Sequence, residues 1–175
     1  GFPKKLRDPS IPGAEIITFS NDEEVANAES SGWAALVAVA GTAAAPEVVD
    51  RRRVELVAAG DPNQPYHAAE DLGLEEARKL LTRLEKGSER LAAKALSEAA
   101  DASRRKGRSL VAGGLVLASG RPLPALPEIL ASHALIHTAD GEHYRRALRD
   151  AAASLRLPLL EVKEKELWSR ASKRL

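Results

Sequence analysis

At 175 residues the chain can bury one substantial core, and 44% apolar against 29% charged residues is an ordinary globular balance. A formal net charge of +1 gives no global electrostatic case for nucleic acid, and the lack of cysteine excludes disulfides, thiolate-held zinc and a thiol nucleophile. No apolar run approaches the roughly 18 residues of a membrane span. The N-terminal residues are polar and proline-broken rather than signal-like, so the expected location is cytoplasmic.

Aromatic residues are only 3%, so the core is expected to be built from Leu, Val, Ile and Ala. Residues 1–13 carry Pro3, Pro9 and Pro12 and read as an N-terminal arm; residues 14–175 read as a single α/β domain. Ala14–Ser20 is rich in β-branched residues and predicts a short strand. Trp33–Ala40 is a continuous apolar run between Gly32 and Gly41, as expected of a strand covered on both faces. Glu47–Val57 alternates and reads as a more exposed strand, paired with its predecessor through a hairpin.

Gly60–Pro65 has loop composition. From Leu74 to about Ser103, apolar or small residues return with the 3.6-residue period of a long amphipathic helix, with Gly87 as a place for a bend and Lys106-Gly107 as its end. Leu110–Ala118 is a second fully apolar strand. Residues 126–139 read as helix, and Asp140 is placed as the N-cap of a second helix over 141–156. Pro158–Val162 predicts a strand and Lys163–Arg174 a terminal helix carrying Trp168. The order β-β-β-α-β-α-(α)-β-α predicts a mixed five-stranded sheet with helices on both faces.

This pattern resembles the ribonuclease-H-like fold. Gly32-Trp33-Ala34 and Leu157–Val162 before a Lys-rich helix are similar to Holliday-junction-resolvase-like proteins. Val111–Ala118 after a long helix is similar to the middle domain of peptide-chain release factors, and Ile129–Thr138 to a string in uncharacterised bacterial proteins. The resemblance implies a two-metal carboxylate cluster, which this chain cannot supply. The run Ile16-Ile-Thr-Phe-Ser20 of its first strand holds no acid, with Glu15 before the run and Asp22 beyond it; Leu117–Gly120 holds none, and the last helix offers Glu164 and Glu166. The Gly-Gly-Gln motif of the release factors is also missing. The active site is therefore expected to be degenerate.

The residue types able to do chemistry are concentrated elsewhere. His133 and His137 are four apart and share a helix face, where two imidazoles bind one divalent ion if a third ligand comes from another element. Ala134 stands where a His-Glu-x-x-His protease carries its glutamate, so that motif supplies no base. The alternative is a hydrogen-bonded pair packed beside Leu130 and Ile136. His67 and Glu70, three residues apart, are candidates for an acid–base pair with either histidine. Ser119 and Arg121 follow the end of a buried strand, where α/β sheets bind ligands, and Glu142 joins them as a candidate ligand-binding residue.

Two functions compete on these residues. The missing acids favour a non-catalytic module that binds nucleic acid, the ribosome or a protein, with Arg51–Arg53 and Arg104–Arg108 as a basic face. The histidines favour a hydrolase or phosphodiesterase using a His/Glu/Arg site, with or without a divalent metal. Alanine-rich helices that pack against a second copy would make a homo-oligomer.

Overall fold

The computed structural model describes residues 14–20, 32–42, 45–117 and 122–166. In chain order it holds β1 (Ala14–Ser20), β2 (Trp33–Thr42), β3 (Ala45–Glu55), α1 (Pro65–Ala69), α2 (Leu74–Arg105), β4 (Ser109–Leu117), α3 (Leu126–Leu130), α4 (His133–Ser154) and β5 (Leu159–Lys163). The expected terminal helix and its Trp168 fall largely outside the described residues, as does the N-terminal arm.

β2 and β3 form an antiparallel hairpin from Trp33 opposite Glu55 to Thr42 opposite Ala45. Its register shifts between Ala38 and Val39, which leaves Val49 without an opposite residue. The carbonyl of Val49 accepts a bond from Lys106 Nζ at 3.3 Å, just beyond the end of α2. Burial on β2 alternates strictly from Trp33 to Ala40, through the shift: Ala34, Leu36, Ala38 and Ala40 are buried, and Trp33, Ala35, Val37 and Val39 are half-buried. Gly32 enters the strand with φ at +87°, and a Cβ there would sit 2.4 Å from Val57 Cγ2, so no larger residue fits.

The expected fold class, a five-stranded ribonuclease-H-like sheet with helices on both faces, is corrected by the packing. The chain is α/β, with an antiparallel β2–β3 pair and a parallel β4–β5 pair. Strand β1 bridges them, antiparallel to β2 and parallel to β4, in the order β3-β2-β1-β4-β5. The core joins Ala34, Leu36, Val54 and Leu115 of the strands to Ala92, Ala95, Leu96 and Ala99 of α2 and Tyr144, Ala147, Leu148 and Ala151 of α4. Among the described residues the long helices therefore lie together on one face. Element order reports which strands exist, but it does not report which face a crossover helix takes.

Helix α2 runs unbroken through Gly87 for 32 residues, or about 48 Å at 1.5 Å per residue. That length lets its C-terminal half cover the sheet while its N-terminal half, through Ala77 and Leu81, packs with Ala69 and Tyr66 near α1. The helix boundary expected at Asp140 is also displaced. The chain breaks at Ala131-Ser132, and Asp140 lies inside α4 and is buried. On the far side of α4, Glu142 and Arg149 form an ion pair at 2.6 Å, and Arg149 also pairs with Glu161, tying the helix to β5.

His143 is enclosed between α2 and α4, hydrogen-bonded to Ser88 Oγ at 3.1 Å. Burial, helped by the nearby Arg146 charge and opposed by Glu85, lowers its pKa to about 4. The native state therefore keeps the ring neutral while the unfolded chain takes a proton below about 6.5.

Two outcomes follow from this packing. Leu96→Ala opens a cavity where helix meets sheet and is expected to cost about 2–5 kcal/mol in a denaturant titration. Stability should be flat with respect to this ring above about pH 6.5 and fall as pH drops toward 4, by roughly 3 kcal/mol in all. A His143→Gln variant should lose that component of the pH profile, read from midpoints at pH 7.5 and 4.5.

Candidate metal centre

Pro65 opens α1 at a position where its missing N–H costs nothing, and the short helix carries His67 on one turn. Three bonds fasten this segment to α4. The Tyr144 hydroxyl donates to Asn63 O at 2.7 Å, the Tyr66 N–H donates to Asp140 Oδ1 at 2.6 Å, and His67 Nδ1 meets Asp140 Oδ2 at 2.5 Å. His133, His137, Asp140 and Tyr144 recur at intervals of four, three and four, so one stripe of α4 faces the 63–67 segment.

The outcome is a convergence of three imidazoles. His133 and His137 approach Nε2 to Nε2 at 3.1 Å, and the His67 ring centroid lies 4.5 Å from that of His137 and 5.3 Å from that of His133. One ligand atom from each of the three falls within 4.8 Å of the other two. Glu70 stands at the rim, with Oε1 4.0 Å from His133 Nδ1. His67 is largely enclosed at 21% side-chain exposure, whereas His133 is open at 69%.

The carboxylate behind the cluster is under strain from its surroundings. Burial raises the pKa of Asp140, and the Tyr66 N–H and the His67 ring act against that rise. With the carboxylate ionised and the ring neutral, the bond at Oδ2 requires the proton on His67 Nδ1 and leaves the Nε2 lone pair free. The His133 and His137 Nε2 atoms share a hydrogen bond at 3.1 Å, so the proton between them has to leave before both can bind one cation.

The sequence candidates separate clearly. His67, His133, His137 and Glu70 are brought together. Glu142 is engaged by Arg145 and Arg149, and Ser119 and Arg121 lie outside the described residues. Asp140 was missed as a site residue because it was placed at a helix start. Its spacing of seven from His133 and three from His137 is the signal that puts it on their face once the helix is continuous. Of the alternative, a hydrogen-bonded pair packed beside Leu130 and Ile136, the contact between the two rings is present at 3.1 Å, while both residues are exposed.

Against known proteins the chain stands alone: no family model, no curated protein and no solved structure matches it. Among the described residues no helix is long and apolar enough to cross a membrane.

Proposed function

We propose that the protein is a divalent-metal-dependent hydrolase whose ion is held by His67, His133 and His137. The observation that carries this reading is the convergence of three imidazoles from two helices. Four-coordinate zinc with nitrogens at about 2.05 Å has ligand–ligand edges of about 3.3 Å. The 3.1 Å between the His133 and His137 nitrogens is close to one such edge. Rotation of these two exposed rings draws in the widest separation.

Imidazole donors suit zinc, copper, nickel or iron better than magnesium or calcium. Three protein ligands leave a position for water, the composition of catalytic rather than structural sites. When bound, such an ion lowers the pKa of its water to about 7 and polarises an ester or phosphoester oxygen. Glu70, three residues from His67 and exposed at the rim, is placed to accept the proton that water gives up.

The competing reading, a nucleic-acid-, ribosome- or protein-binding module, has thinner support. Lys106 and Arg108 do reach β3, at Val49 and Glu47. Glu47, Asp50, Glu55 and Asp101 are interleaved with that basic edge and pair with Arg108, Arg52, Arg53 and Arg104. The edge is a mixed-charge surface, and it gives a polyanion no continuous track.

Titration of chelator-stripped protein with zinc or cobalt should reveal one site per chain. A His133→Ala/His137→Ala double variant should weaken it well beyond roughly 100-fold, more than the loss of an outer hydrogen-bond partner costs. Metal-loaded protein should hydrolyse p-nitrophenyl acetate or bis(p-nitrophenyl) phosphate, and the double variant should not. Failure of zinc, cobalt, nickel and manganese alike to bind would remove the basis of the proposal.

A further inference from the structure

Resting on the metal-centre reading, we infer that Asp140 is the positioning residue of the site: its carboxylate holds His67 in the tautomer that presents Nε2 to the ion and supplies the countercharge behind that ligand. The geometry leaves the carboxylate little other use. It is buried at 4% exposure in the middle of α4, has no lysine or arginine bonded to it among the described residues, and spends its two oxygens on two donors of α1. Oδ1 takes the Tyr66 N–H, which orients the carboxylate plane and brings the start of α1 onto α4. Oδ2 takes the His67 Nδ1 proton.

A buried acid of this kind, with one imidazole and one amide as partners, has no permanent positive charge bonded to it. A divalent ion beyond the imidazole supplies the missing positive charge. Asp140 and the rim carboxylate of Glu70 together then balance two positive charges across three neutral rings. The carboxylate bonded to the far nitrogen of His67 also orients that ring toward the ion. His133 and His137 show no comparable buried partner among the described residues, and both rings are exposed. Tautomer control therefore falls on the one imidazole that is enclosed.

The test separates tautomer control from mere tethering of the segment. Tyr144→Phe cuts the neighbouring link to Asn63 and leaves Asp140 intact. Asp140→Asn keeps size and shape but replaces one acceptor oxygen by an amide donor. Zinc affinity of each stripped protein would be measured by calorimetry, with folding followed by thermal melting. The His67 tautomer of metal-free protein would be read from ring-nitrogen shifts and couplings in NMR.

The expected result is an Nδ1–H tautomer at His67 in the parent, lost or mixed with Nε2–H in Asp140→Asn. Zinc affinity should fall about 10–100-fold in that variant, whereas Tyr144→Phe should melt earlier with its affinity within about threefold of the parent. Equal weakening in Tyr144→Phe, or parent-like binding by folded Asp140→Asn, would overturn the inference while leaving the metal centre standing. A parent that binds no ion would overturn both.

Discussion

The structure depends on one packing constraint, the close approach of α2 to α4 over a single sheet face. The contact is built from small residues. Ala92, Ala95 and Ala99 of α2 and Ala147, Ala151 and Ala152 of α4 are all buried, with Leu96, Leu148 and Tyr144 filling the larger spaces. Small side chains let two helices and a sheet meet without voids, and the stabilisation then comes from many modest burials. The alanine-rich composition and the scarcity of aromatic residues have the same physical cause.

That approach also determines where chemistry can occur. The stripe that carries Ala147 and Ala151 against α2 continues toward the start of α4 through Tyr144, Asp140, His137 and His133, and there it receives the 63–67 segment. Pro65 starts a helical turn there, and the Tyr66 N–H finds the Asp140 carboxylate. The imidazole of His67 is thus carried to the two histidines at the beginning of α4. The far side of α4 is fastened separately, through Glu142, Arg149 and Glu161 to β5. The histidine cluster sits where α4 is attached on two sides, a requirement for holding side chains in a fixed geometry.

Two of the buried titratable groups on α4 have opposite consequences. His143 is enclosed with a serine hydroxyl as its partner and is kept neutral, a structural role. Asp140 is enclosed with a histidine that continues outward to an open cluster, so its charge has somewhere to act. The same burial that encloses His143 with a hydroxyl sets Asp140 against the His67 imidazole, 73 residues away in sequence.

The local elements were legible because their causes are local. The apolar run of Trp33–Ala40, the alternation after it, the 3.6-residue period of α2 and the i, i+4 pair of His133 and His137 can all be read from neighbouring residues. The sequence by itself determined the α/β class, the positions of the strands and the residue types of the metal centre. Tertiary structure alone decided the rest. It placed both long helices on one face of the β2–β3 and β4–β5 pairs, carried α4 unbroken through Asp140, and delivered His67 to the two histidines from a distance of 66 residues in one case and 70 in the other. Propensity and periodicity act over a few residues, whereas the choice of a packing face and the meeting of distant side chains are settled by which surfaces the folded chain can bury together.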